Sequence, residues 1–221
     1  MTTQDQTASN FDSDQTNRYA LEKFKGSLFR AYLKRLYWNL RFRPRNVHLG
    51  ESAYIQRPFF CPAPHKIHVG HRSQIGRNSR LQPLTSYLDQ CYEPKIEIAD
   101  DVYIGNDCHI VCVNYVYIGT GCTLSDEIYI TDVAHGMHPY MGLIMDQELT
   151  SKGPVILANG CFIGIGSTIL SGVTIGTHSI IGARSVVTRS IPPYCMASGN
   201  PARIISCFDK QLGVWVRCKE S

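Results

Sequence analysis

The chain has 221 residues, a formal net charge of +4, 18% charged and 43% hydrophobic residues. This is the composition of an ordinary folded soluble protein, and the charge is too small to argue for a nucleic-acid partner. No apolar run approaches the ~18 residues of a membrane span, and the polar, acidic opening MTTQDQTASNFDSDQ is unlike a secretory signal.

Residues 1–17 are dominated by Ser, Thr, Gln, Asn and Asp, so a disordered tail is expected there. From 18 to 45 the pattern turns helical: Leu21, Phe24, Leu28, Tyr32, Leu36 and Leu40 recur at spacings of three or four. Lys23, Lys25, Arg30, Lys34, Arg35, Arg41, Arg43 and Arg45 supply cations, and Pro44 ends the helix. One reading is a helix packed on the first repeat with a solvated basic face. The other is a basic amphipathic helix in peripheral contact with anionic lipid or a lipid-linked acidic substrate.

Beyond residue 46 a different period takes over. An aliphatic residue recurs every sixth position at Leu49, Ile55 and Cys61, then Val69, Ile75 and Leu81. The frame resumes at Ile98, Ile104 and Ile110, then Ile118, Leu124 and Ile130. It runs unbroken through Leu157, Ile163, Ile169, Ile175, Ile181 and Val187. Four positions after the aliphatic sits a small or β-branched residue, among them Ala53, Ser73, Cys108, Cys122, Ala134, Cys161, Ser167 and Ser185, with Phe59 as a bulky exception. A period of six fits neither a helix nor simple alternation. It fits a short strand and a tight corner, three of which close one triangular coil with both slots pointing inward. Gly beside the aliphatic, as at Gly164, Gly176 and Gly182, suits a corner through positive φ or close backbone approach. About six such coils make a prism roughly 29 Å long at the strand spacing.

Three interruptions break the frame: Pro83–Lys95, a two-residue slip between Ile110 and Ile118, and His135–Pro154. The first is expected to be a surface excursion. The last leaves the prism after a unit ending at Ala134 and His135, and loops of that length in compact repeats are usually functional. His65, His68 and His71 in the second coil lack acidic companions, and solvent-facing positions are the plainer reading than metal ligation. After Pro192, Arg203–Phe208 and Gly213–Cys218 alternate weakly about DKQL and predict a short hairpin or cap on the last coil. The nine cysteines contain no C-x-x-C pair; Cys108, Cys122 and Cys161 fall in the narrow inward slot, and reduced thiols of a cytoplasmic protein are expected.

The stretches IGIGSTILSGVTIG, IIGARSVVTRSIPPY, SGNPARII and LTSKGPV resemble the hexapeptide-repeat acyltransferases. Within that superfamily they are most similar to bacterial sugar O-acetyltransferases of O-antigen, capsule and exopolysaccharide clusters. Those proteins show an ITD-x-x-HG stretch, then Q-x-L-x-SKGPV, the repeats and NPA-[KR]-[VI]-I. Here these are Ile130-Thr131-Asp132 with His135-Gly136, Gln147, Leu149, Ser151–Val155 and Asn200–Ile205. The likeness covers about 98–206 well and 46–97 by repeat only.

The resemblance implies an all-β, left-handed parallel β-helix with an N-terminal helix and a short C-terminal extension. The organisation is then a tail (1–17), a basic helix (18–45), the β-helix domain (46–206) with its loop at 135–154, and a cap (207–221). It also implies a homotrimer whose clefts lie between prisms; the cysteine usage and the basic segment 18–45 add the expectation of a cytoplasmic protein, free or peripheral to the inner membrane. Acetyl-CoA is the implied donor, with no metal, and the implied acceptor is a sugar or lipid-linked oligosaccharide of cell-surface polysaccharide. His135 matches the catalytic histidine, which takes the acceptor hydroxyl proton as oxygen attacks the thioester; imidazole, largely neutral near pH 7, suits that task. His138 is an alternative base or acceptor contact, Asp132 an orienting or acceptor-binding group or a corner residue, and Tyr140 part of the loop that shapes the acceptor pocket or packs across the trimer seam. For the cofactor the resemblance implies Phe162, where many relatives have Trp, with Gly164, Ala183, Thr188, Arg189 (Lys in relatives) and Arg203. Two other readings stand: a γ-carbonic-anhydrase-like zinc enzyme, for which His109, His135 and His138 are the histidines near the middle of the prism, and a non-catalytic β-helix subunit.

Overall fold

The computed structural model describes residues 46–218, together with Leu33; the tail at 1–17 and the helix predicted over 18–45 otherwise lie outside the described residues. Strands of two to five residues stack into three parallel sheets, one per face of a triangular prism. Sheet 1 runs from His48–Leu49 through Ile67–Val69, Lys95–Ile98, Tyr115–Ile118 and Val155–Leu157 to Thr174–Ile175. Sheet 2 begins at Tyr54–Ile55 and climbs through Gln74–Ile75, Tyr103–Ile104, Thr123–Leu124 and Phe162–Ile163 to Ile180–Ile181 and Cys195–Gly199. Sheet 3 holds Phe59–Phe60, Ser79–Pro83, His109–Cys112, Tyr129–Thr131, Thr168–Ile169 and Val186–Val187.

The register confirms the hexad frame. Ile98, Ile118, Leu157 and Ile175 stand one above another on sheet 1, and Ile75, Ile104, Leu124, Ile163 and Ile181 on sheet 2. Each is fully buried, worth about 1.5–3 kcal/mol of apolar transfer per side chain. The narrow slots carry small polar groups that bond the backbone of adjacent coils. Ser167 Oγ donates to the carbonyls of Gly164 (2.7 Å) and Gly182 (3.0 Å), so its burial leaves no orphaned hydroxyl.

Three predicted inward positions differ. Phe59 and Cys61, in the first coil of the described residues, are only half-buried, and Ala134 is exposed. The coil is left at Asp132, two residues earlier than the frame suggested, because Ala134–His135 turns away to pair antiparallel with Leu149–Thr150. The glycines beside the aliphatics serve close approach: a Cβ on Gly164 would lie 2.6 Å from the Ala183 nitrogen. Positive φ falls instead at the corner itself, as at Gly166 (φ +68°).

All three interruptions leave from the corner between sheet 3 and sheet 1. The first, after Ser79–Pro83, contains a small hairpin, Ser86–Tyr87 against Gln90–Cys91. The third, after Tyr129–Thr131, is the long loop. At the C-terminal end, Ala202–Asp209 folds back antiparallel on Cys195–Gly199 and pairs with Val214–Arg217, the predicted hairpin. Cys195 and Cys207 face each other in that register and form a disulfide, so the reduced state expected for all nine thiols does not hold for this pair. The other seven are free.

Candidate active site

Asp132 is the residue on which the long loop hangs. Its side chain is fully buried. Oδ1 accepts from the Val113 amide (2.8 Å) and Oδ2 from the amides of Asn114 and Tyr115 (2.8 Å each). Those three amides belong to the two-residue slip one coil earlier, where the chain bulges and its N–H groups lose their ladder partners. The Cys112 thiol also reaches Oδ2 at 3.5 Å; burial first, and then this carboxylate, push its pKa up. The Asp132 carbonyl accepts from Ser151 Oγ (2.5 Å) and Ser171 Oγ (2.7 Å), which clamps both ends of the loop to one point.

From that anchor the ribbon Ala134–His135 and Leu149–Thr150 projects, and His135 sits in it opposite Leu149. The glycine that follows is required by space: a Cβ on Gly136 would stand 2.9 Å from Gln147 Cβ and from the Glu148 carbonyl oxygen. Buried Gln147 pins the loop beyond, accepting from the His138 amide (2.8 Å) and donating to the His138 carbonyl (3.0 Å). The loop is also braced by the first excursion, for Tyr87 Oη donates to the Met145 carbonyl (2.6 Å) and Gln90 Nε2 to Glu148 Oε1 (2.7 Å).

Between the two excursions and sheet 3 lies a cavity of about 400 Å³, lined by Leu84, Tyr87, Val111, Tyr129, Thr131 and His135 among others. The His135 ring meets the Tyr87 ring edge-on at 5.3 Å. His135 Nδ1 is buried and has no hydrogen-bond partner among the described residues. A buried ring nitrogen without a partner is costly in a finished structure and is a feature of sites that a substrate or neighbouring group completes.

His138 is exposed; its Nδ1 accepts from the Tyr140 amide at 3.3 Å, and Tyr140 is 91% exposed at the loop tip. Neither lines the cavity with His135, and the Asp132 carboxylate is spent on backbone amides. The cofactor candidates fall in two groups. Phe162 is exposed on the outer face of sheet 2, with Gly164 and exposed Ala183 stacked at the corner leading to sheet 3. Thr188 and Arg189 lie past the other end of sheet 3, and Arg203, exposed, sits on the back-folded strand, donating from Nη1 to the Ala202 carbonyl at 3.0 Å. Among the described residues no group of three or more His, Cys, Asp or Glu is placed to hold a metal. Tyr87, Leu84 and Tyr129 were not anticipated as site residues. A second cavity, about 460 Å³ on sheet 1, is lined by His48, His65, Lys66, His68, Glu93 and Lys95 and contains none of the candidate site residues.

Comparison with known proteins agrees with this architecture. Residues 154–189 match the family model described as bacterial transferase hexapeptide (six repeats). The chain is 31% identical over 136 residues to the galactoside O-acetyltransferase of Escherichia coli (strain K12), covering 59% of this chain and 62% of that one. It is 28% identical over 134 residues to a putative lipopolysaccharide biosynthesis O-acetyl transferase of the same organism, covering 58% and 68%. A probable acetyltransferase of Mycobacterium tuberculosis is 29% identical over 182 residues, 79% of this chain, which spans 57% of that relative. Among solved structures, a mutant of AntD, an N-acyltransferase from Bacillus cereus in complex with dTDP and coenzyme A, superposes with a TM-score of 0.61 at 20% identity, covering 75% and 86% of the two chains. A hexapeptide-repeat containing acetyltransferase from Vibrio cholerae, complexed with acetyl coenzyme A, gives 0.50 at 24% identity, covering 91% and 81%. The fold these define is the left-handed parallel β-helix. Residues 154–189 thus carry the bacterial transferase hexapeptide repeat, and the relatives and solved structures that the chain resembles bear the names of acyltransferases.

Proposed function

We propose that this protein is an acetyl-CoA-dependent O-acetyltransferase that modifies a sugar hydroxyl of a cell-surface polysaccharide or its precursor in the cytoplasm. The observation that carries the reading is His135: its backbone is held in a ribbon clamped to the prism, and its ring lines the cavity with Nδ1 unpaired among the described residues. Rigid support beneath a reactive side chain and a loop beside it is the arrangement a general base needs. The acceptor hydroxyl gives its proton to the imidazole as its oxygen attacks the thioester carbon. The tetrahedral adduct collapses with loss of the CoA thiolate, which takes the proton back from the imidazolium. The relatives named above as acetyltransferases support the donor, and the sugar-modifying names among them support the acceptor class.

Gly164 and Ala183 lie at the corner where sheet 2 leads to sheet 3, Arg203 is paired with Ser198 above Gly182 at that same corner, and Thr188 and Arg189 follow the last strand of sheet 3 at its far edge. We assign Phe162, Gly164, Ala183 and Arg203 to one wall and Thr188 with Arg189 to the other, within a homotrimer. The cations meet the nucleotide phosphates by charge-assisted hydrogen bonds. His138 and Tyr140 take an accessory place at the loop tip, and Asp132 a structural one.

His135→Ala should leave thermal stability and assembly close to wild type, because the ring fills no inward slot. Acetyl transfer should fall at least ~10²-fold, the loss expected for a general base, with acetyl-CoA affinity within a few-fold. Thiol release from acetyl-CoA reads the first, and calorimetric titration the second. Retention of most activity by His135→Ala while His138→Ala abolishes it would give the role to the other histidine.

A further inference from the structure

A line of side chains crosses the outer face of sheet 3 and ends in the His135 cavity. Phe60 pairs with Arg80, Arg80 with His109, and His109 with Tyr129 in the parallel register. Side chains in one register row of a sheet share one face. Arg80 Cζ lies over the Phe60 ring, 4.8 Å from its centre. His109 packs against Tyr129 at 5.4 Å and bonds through Nε2 to the side-chain oxygen of Gln82. Gln82 in turn pairs with Val111, which lines the cavity together with Tyr129. Three strand spacings separate Phe60 from Tyr129, about 14 Å, which is longer than a single sugar ring.

The chemistry of this row is specific. Two exposed or half-exposed aromatic rings offer apolar platforms, and amphipathic ligands such as pyranose rings present apolar faces to them. Between them stands a guanidinium that makes no ion pair among the described residues. The His109 pKa is lowered, first by burial and then by that same cation, so the neutral ring remains a hydrogen-bonding group beside a fixed positive charge. The aromatic pair alone would suit any sugar; the unpaired Arg80 favours one with a negative charge.

We infer that the Phe60–Arg80–His109–Tyr129 row is the binding track of an extended acidic saccharide, whose anionic group meets Arg80 while its acceptor hydroxyl reaches the His135 cavity. The inference rests on the transferase reading only for what happens at His135. The anion is a sugar carboxylate or a glycosyl phosphate, and two matched pairs of probes separate them: cellobiouronic acid against cellobiose, and glucose 1-phosphate against methyl glucoside. Calorimetric titration of the full chain should show the acidic member of at least one pair binding about tenfold tighter or more, the size of one charge-assisted contact. Arg80→Gln, a change at an exposed position, should bring that ratio to about one and leave acetyl-CoA affinity unchanged. Phe60→Ala should weaken the acidic probe that binds best. Equal affinities within both pairs, a ratio untouched by Arg80→Gln, or indifference to Phe60→Ala would each overturn the track. These ratios are read without turnover, so failure to cleave acetyl-CoA would count against the transferase reading alone.

Discussion

A carboxylate removed from water must find donors, and Asp132 finds three backbone amides that a two-residue bulge has left without partners. Bulge and carboxylate therefore solve each other's problem, and the loop that carries His135 starts from a fixed point. Asp132→Asn keeps the shape but turns an NH2 group toward amide donors. Its expected cost is about 3 kcal/mol, the scale of leaving more than one buried donor unsatisfied, or roughly 6–12 °C in Tm for a chain of this size. Acetyl transfer by the folded fraction at low temperature should stay within a few-fold of wild type. A variant with unchanged Tm and lost turnover would move Asp132 from scaffold to chemistry. In the sequence Asp132 stands only as part of an ITD-x-x-HG stretch, because nothing local marks the amides it serves, which are 17–19 positions away. His135 was legible for the opposite reason: motif and loop departure coincide within a few residues.

The element that the sequence describes best is the coil, since a period of six leaves each inward residue readable by counting. Its failure at Ala134 is informative, because a small apolar residue in the right slot looks identical whether it faces the prism or a ribbon that has left it. The joining of the two excursions was hidden in a different way. Leu81 and Ile130 are each the third aliphatic of their coil, so both excursions leave from one corner, yet only the fold shows Tyr87 bonding across to Met145. At the N-terminal end the coils make a prediction of their own. His48 and His68 are stacked at 4.4 Å with rings 17° apart. The His68 pKa is lowered from 6.5, first by burial and then by His48. A lowered folded-state value favours the neutral ring, so this stabilisation is complete above about pH 6.5 and is lost as pH falls through the lower folded value. Amides of the first coil, 48–60, should exchange hydrogen faster relative to later coils at about pH 5.5 than at about 7.5. His68→Asn should remove the difference; an unchanged pH response in that variant would place its cause elsewhere.

Among the described residues the inward aliphatic side chains are buried along the prism, and large apolar side chains stand exposed on the C-terminal hairpin and on the long loop. Met137, Tyr140, Met141, Leu143, Ile144 and Met145 all stand exposed on a loop that is nonetheless pinned by Gln147 and Tyr87. A patch of this kind on an ordered loop marks a surface that another molecule covers. On the proposed cofactor assignment, which sets Gly164 and Ala183 apart from Thr188 and Arg189 across sheet 3, a second copy is the proposed cover, the loop of one prism closing the cleft of the next. Wild-type protein should then scatter light as a trimer at micromolar concentration. The triple change Tyr140→Ser, Leu143→Ser and Ile144→Ser removes apolar area from the tip without touching His135, Asp132 or Gln147. It should shift the protein toward monomer and lower turnover in parallel, with turnover recovering as protein concentration rises, because mass action restores the shared cleft. Circular dichroism should show the β-helix unchanged, since the inward slots are intact. A monomeric variant that turns over acetyl-CoA at the wild-type rate, independent of its own concentration, would show that each prism carries a complete site and that the apolar loop serves some other partner.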